Sequence, residues 1–177
     1  MKKKFTSDLS TSGLNNLINE LEAYKDELPT RIAKAIELLS SKGINYAEEV
    51  SRTSQFGKNL VFRATVPEIA GSNITAIMEG VDYEYDVYWY QADGTTRSAT
   101  VSCLLMIEFG SGVYAIEGHR GTFPTGLGHG NDPKGWYYKD EEGWHHSLGY
   151  SPKQPMLKAY NNMREEIRSA FSEAFGN

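Results

Sequence analysis

The stretch Leu104–Ala115, LLMIEFGSGVYA, decides how the rest of the chain is read. An apolar run passes directly into a carboxylate, a ring and two glycines (Glu108, Phe109, Gly110 and Gly112) and then becomes apolar again. Glycines permit positive φ and close backbone approach, so the chain can turn sharply after the run. Phe109 then anchors the turn in the core, and Glu108 faces either a partner group or a backbone amide. The spacing predicts an architectural turn that launches the segment after it; a chemical role for Glu108 is the alternative. The run before it, CLLMIEF, fits a final β-strand and a short buried helix equally well.

Upstream of this turn the chain is β-patterned. LVFRATVPEI and ITAIMEGV are rich in β-branched residues, and YEYDVYWYQ alternates acidic with aromatic side chains, as a half-exposed strand does. Asp93-Gly94 supplies a hairpin turn into RSATVSCLLMIEF. Residues 58–117 therefore predict an antiparallel sheet of about four strands. Further upstream the period changes. Leu14, Leu17, Ile18, Leu21, Tyr24 and Leu28 recur at three- and four-residue steps, and Ile32, Ile36, Leu39 and Ala47 extend the stripe to about Val50. Pro29 lacks an amide proton and disfavours helix at Leu28, so 14–50 predicts a kinked helical arm or two helices in series. Gly43 weakens its second part. Residues 1–13 are polar and read as a flexible lead-in with a helix cap near Ser10 to Ser12.

Downstream, residues 118–135 hold six glycines and two prolines in 18 positions, a long loop of the kind that is usually functional or disordered. Residues 136–150 predict a hairpin. Residues 152–175 predict a terminal helix with Pro155 as its first residue and one face marked by Met156, Leu157, Tyr160, Met163, Ile167, Ala170, Phe171 and Ala174. The fold class is α+β: a kinked N-terminal helical arm, an antiparallel sheet, a glycine-rich loop with a hairpin, and a C-terminal helix packed on the sheet, in a single domain over 14–177.

Composition narrows the function. The 177 residues carry 23 Asp plus Glu against 18 Lys plus Arg, and the basic cluster Lys2 to Lys4 stands alone, which disfavours nucleic acid as a specific partner. Cys103 has no internal disulfide partner, and no long apolar stretch follows the basic start, so neither a signal peptide nor a membrane span is expected. Eleven tyrosines and three tryptophans tilt the chain toward contacts with other molecules.

Chemistry-bearing patterns are sparse. His119, His129 and Asp132 could in principle assemble a zinc site for a metal-dependent hydrolase, yet all three lie in the glycine loop and no HExxH or Cys/His quartet accompanies them. His145 and His146 are adjacent on a predicted strand and point to opposite faces. Cys103 sits in an apolar run without cations to lower its pKa. No G-x-S-x-G elbow or G-K-[ST] phosphate loop is present. No cofactor, metal or catalytic residue is therefore assigned. Tyr83, Tyr85, Tyr88, Trp89 and Tyr90, with Trp136 and Trp144, could form a stacking platform for a carbohydrate or peptide.

The order of four segments resembles a known family. The helix around LEAYKDELPTRIAKAIELLSSKG, the element IEFGSG, the stretch GWYYKD and the lead-in GYSPKQPMLKAY are arranged as in the tail-completion or head–tail joining proteins of long-tailed phages and prophages, often labelled minor tail or minor capsid components. The resemblance spans about residues 14–175. Its most specific parts are Glu108, Phe109, Gly110 and Gly112, and the P-x-x-P-M segment with Pro152, Pro155 and Met156, joined by Trp136 and Tyr138. The longer glycine loop, His119 to Lys134, departs from the family. The resemblance implies a non-enzymatic virion protein, made in the bacterial cytoplasm, that docks as a ring, a hexamer, between the head connector or stopper and the tail terminator. It implies no membrane partner, and it makes Trp136, Tyr138, Trp144, Pro152, Pro155 and Met156 candidate interface residues.

Overall fold

A computed structural model describes residues 4–8, 10–54, 56–90, 95–116, 136–140 and 142–176; within it the side chains of 85, 87, 89, 90, 97, 99 and 136–140 are not described. The expected Asp93-Gly94 turn and the loop 118–135, with His119, His129 and Asp132, lie outside the described residues. The protein is mixed α+β. In chain order its elements are α1 (Thr11–Arg52), β1 (Val61–Ala64), β2 (Glu68–Ala70), β3 (Asn73–Thr75), β4 (Met78–Val81), β5 (Glu84–Tyr90), β6 (Thr96–Ser102), α2 (Cys103–Phe109), a 3₁₀ turn (Gly112–Tyr114), β7 (Trp136–Asp140), β8 (Gly143–Ser147) and α3 (Pro155–Ala174).

The chain forms two compact units. One comprises Met1–Gly43, Ala64–Met78 and Asn161–Asn177; the other comprises Ile44–Arg63 and Glu79–Tyr160. In the first, α1 starts where Ser10 Oγ accepts from the amide of Gly13 at 3.0 Å, which satisfies one of the donors every helix start leaves open. It stays helical through Pro29, which its sequence marks as a kink or a boundary between two helices. A proline removes one intrahelical bond and crowds one carbonyl at a cost of about 3 kcal/mol, and burial of the turns that follow offsets it: Ala35 is fully buried.

Those turns run antiparallel to the second half of α3. Arg31 Nη1 donates to the carbonyl of Phe175 at 3.4 Å with its guanidinium 5.9 Å from that ring's centre, while Lys42 Nζ reaches Glu166 Oε2 at 2.5 Å and Ser169 Oγ at 3.2 Å. Gly43, expected to weaken the helix, is buried there. A Cβ at that position would lie 2.6 Å from Met163 Sδ and 3.0 Å from Met78 Sδ, so hydrogen is the side chain that fits. The buried face of this half of α3 is made by Ala170 and Ala174. The face marked from sequence is thus buried only in part: Ala170 and Ala174 are enclosed and Met156, Met163 and Phe171 half-buried, while Leu157, Tyr160 and Ile167 are exposed, because small residues sit where the helices approach closely.

The β2–β3 hairpin belongs to the same unit, with Glu68 opposite Thr75 and Ala70 opposite Asn73, and turns at Gly71, whose φ is +61°. Val66, Ile69 and Ile77 around it are exposed.

In the second unit β5 and β6 form a seven-residue antiparallel ladder, from Glu84 opposite Ser102 to Tyr90 opposite Thr96. β7 and β8 form another, from Trp136 opposite Ser147 to Asp140 opposite Gly143, and β7 lies beside β5. The strand content forms two-stranded ladders throughout the described residues. Leu60, Phe62, Val101, Cys103, Ile107 and Ala115 are the buried apolar core. Gly80 belongs to it by close approach, since a Cβ there would meet the Leu104 methyls at 2.9 and 3.0 Å.

Candidate functional site

The ambiguous run CLLMIEF is helix α2, and its start explains why. Ser102 Oγ accepts from the amide of Leu105 at 3.0 Å, Asp82 Oδ1 accepts from that of Leu104 at 3.0 Å, and the carbonyl of Tyr83 accepts from that of Cys103 at 2.9 Å. All three open donors of the first turn are satisfied, so a short helix persists directly after a strand. Burial, and secondarily the charge of Asp82, pushes the Cys103 thiol up, away from the reactive thiolate.

The far end of α2 is a clasp. Glu108 is buried at 9% exposure, and its carboxylate accepts from the amides of Met156 at 2.8 Å and Leu157 at 3.0 Å, 48 and 49 residues further along. Those are the second and third residues of α3. The first, Pro155, has no amide to satisfy, and the amide of Lys158 finds the carbonyl of Gln154 at 2.9 Å. Glu108 therefore does for α3 what a local Ser or Asp cap does elsewhere, and it sets a negative charge at the positive end of the helix dipole. Gln154, just before the helix, has the positive φ of 58°.

The reverse half of the clasp is made by backbone. The carbonyl of Ile107 accepts from the amides of Lys153 at 2.8 Å and Gln154 at 3.2 Å, so the open carbonyls of α2 are met by the same segment whose helix Glu108 caps. Gly110, with φ +78°, donates to Met106 O at 2.8 Å; a Cβ there would stand 2.8 Å from both Pro152 Cδ and Tyr150 O. Ser111 and Tyr150 exchange backbone bonds at 2.8 and 3.2 Å, Ser111 Oγ accepts from the Tyr150 amide at 2.9 Å, and Val113 donates to Leu148 O at 3.0 Å. Gly149 passes against the Ser111 carbonyl too closely for a side chain. Phe56 closes the far side, edge-on to Tyr150 at 5.4 Å.

This arrangement unites residues singled out separately in the sequence: Glu108, Phe109, Gly110 and Gly112 with Pro152, Pro155 and Met156. Pro155, a candidate interface residue, is instead fully buried, because the first turn of α3 is enclosed by the clasp. Pro152 and Met156 are half-buried. Trp144, by contrast, is 60% exposed on β8, and His145 and His146 alternate along that strand as half-buried and exposed. Trp136 and Tyr138 occupy β7 opposite Ser147 and His145. Tyr83 and Tyr88 are exposed. Both oxygens of Glu108 are committed to backbone amides, a structural use of its charge. Among the described residues no group of three or more His, Cys, Asp or Glu is placed to hold a metal, and no helix is long and apolar enough to cross a membrane.

The clasp's backbone half could not be anticipated residue by residue, since Lys153, Gln154 and Gly149 act through main-chain atoms; the one sequence signal was the glycine in LGYSP. The exposed stripes on α1 and α3 were recognised as apolar faces but not as uncovered ones. Compared with known proteins, the chain matches no family model, no curated protein and no solved structure.

Proposed function

We propose that the chain is a structural virion protein of a long-tailed phage or prophage, completing the tail or joining head to tail as one subunit of a ring. The observation that carries this reading is the clasp. The two segments on which the resemblance to tail-completion proteins chiefly rests, EFGSG and P-x-x-P-M, lie 40 residues apart in sequence and interlock through Glu108, Gly110 and Pro155. The interlocking of the two motifs supports reading them together as one structural element. The exposed apolar side chains of α1, α3 and the β2–β3 region supply surface for neighbours. The partners in this reading are copies of the chain, the head connector or stopper, and the tail terminator.

Deleting the gene from the phage or prophage that carries it, followed by induction and negative-stain electron microscopy, tests this. Full heads beside separate tails are expected; intact, joined particles overturn it. Exposed Tyr83, Tyr88 and Trp144 favour a second reading, a carbohydrate- or peptide-binding module. Saturable quenching of tryptophan fluorescence by glycans or peptides is expected under that reading alone.

A further inference from the structure

Two uncovered patches lie in the first compact unit, one on α1 and one on the ribbon that carries β2 and β3. On α1, Leu14, Ile18 and Leu21 are 42%, 51% and 45% exposed, and the same steps of four and three residues lead on to exposed Lys25. Lys25 is the one charge on that line. Glu22 and Asp26 stand about 60° and 100° round the helix from it on one side, and Glu20 stands on the other.

The ribbon Ala64–Met78 also carries one charge, Glu68, which opens β2 opposite Thr75. Val66, two residues before it, is 86% exposed, and Ile77, two residues beyond Thr75, is 64% exposed. Pro67 holds Val66 extended. Val66 therefore lies about 6.6 Å along the chain from Glu68, much as one helical turn sets Leu21 about 6 Å from Lys25. All three residues of β2 are exposed, and a hairpin this small is marginal without cover. Among the described residues neither the Lys25 ammonium nor the Glu68 carboxylate has a hydrogen-bond or ion-pair partner.

We infer that the α1 line Leu14–Lys25 of one subunit docks on the β2–β3 ribbon of a second copy of the chain, with Lys25 against Glu68 and Ile18 and Leu21 against Val66 and Ile77. The occupant is a second copy because the chain carries both halves, each an apolar patch with one unpaired charge of opposite sign, and leaves both uncovered. The acidic flanks of α1 repel Glu68 in any register that moves it off Lys25, so the pair also fixes the alignment. The two patches differ, so the contact is heterologous, and repetition closes a ring or runs on as a filament. It deepens the ring reading above and rests on that reading for closure.

The test uses the full chain and sedimentation velocity over a range of concentrations at low salt. Wild type is expected to self-associate. Lys25→Glu and Glu68→Lys are each expected to associate at least threefold more weakly while keeping the circular dichroism of wild type. The double variant Lys25→Glu/Glu68→Lys exchanges the two charges and is expected to recover association. A monomeric wild type, a single variant that associates as wild type does, or a double variant no better than the singles overturns the inference.

Should a variant lose the circular dichroism of wild type, Leu21→Cys and Val66→Cys chains are mixed and treated with a short bismaleimide. Wild type, whose Cys103 is buried, gives the background. A cross-linked heterodimer in excess of either homodimer is expected, and its absence overturns the contact. Joined particles from the deletion strain together with charge-dependent self-association would remove the head–tail reading and leave the contact standing. Separate heads and tails with a monomeric chain would do the reverse.

Discussion

The clasp at Glu108 and the first half of α1 are built on opposite terms. In the clasp, backbone amides and carbonyls from two distant segments find partners in each other, a carboxylate caps a helix it does not belong to, and Pro155 and Ile107 are fully buried. In the first half of α1 the backbone is satisfied by the helix itself and the apolar side chains face water. A buried polar joint is costly to leave incomplete, so it behaves as all or nothing. An exposed apolar stripe contributes little to the folding of its own chain and is free to contribute to association. The first region is where substitutions should show up in stability, and the second is where they should show up in assembly.

The largest effect expected is at Glu108. Glu108→Ala leaves two enclosed amides without an acceptor and should lower unfolding stability by about 3 kcal/mol, read as a shift of the urea midpoint. Glu108→Gln, which keeps one acceptor, should lose about half of that. A fall no larger than for an average surface change would dissolve the distinction between the two regions.

Gly110→Ala comes next. It places a Cβ at φ +78° and 2.8 Å from Pro152 Cδ and Tyr150 O, and should cost about 2 kcal/mol. Cys103 reports on the same region: buried and with its thiol pushed up, it should resist alkylation at neutral pH in the native chain. It should become labelled faster in the Glu108→Ala chain, and equal rates would mean that the clasp does not protect the core.

On the exposed side, Ile18→Ser combined with Leu21→Ser should change the urea midpoint by no more than about 0.5 kcal/mol equivalent while weakening self-association. A stability loss comparable to Gly110→Ala would show that the stripe is covered within its own chain.

The smallest expected effect is with pH. The hydrogen bond from Lys42, and next its charge, holds the Glu166 carboxyl below the ordinary carboxylate range. A depressed folded pKa contributes stability above the unfolded value and loses it as pH falls through the folded one. Because both side chains keep about a third of their surface in water, Lys42→Met should remove only a shallow part of the acid limb of the stability curve. A steep change would mean that the pair is enclosed.

Local pattern carried much of the fold. The stripe from Leu14 to Ala47 marked α1, Ser10 lay within the expected cap, the tyrosine-rich alternation marked β5, and Pro155 marked the start of α3. Each of these follows from side chains within a few residues of one another, where period and capping chemistry act. The helix in CLLMIEF was open in the sequence because its decisive partners, Asp82 and Tyr83, lie a whole hairpin away. The face of α3 marked in the sequence includes the buried Ala170 and Ala174, but how narrow the buried part is was not legible, because close approach of two helices at Gly43 leaves Leu157, Tyr160 and Ile167 of that face exposed.

The sequence by itself determined an α+β chain with a long amphipathic helix, a sharp glycine turn after Phe109 and a proline-led final helix. Only the tertiary structure decided that Glu108 spends its charge on the amides of Met156 and Leu157, that Pro155 is enclosed, and that Leu14, Ile18 and Leu21 stay in water. The reason is physical. Periodicity and capping are properties of neighbouring residues, but satisfaction of a buried backbone group and cover for an apolar face depend on what the folded chain brings alongside.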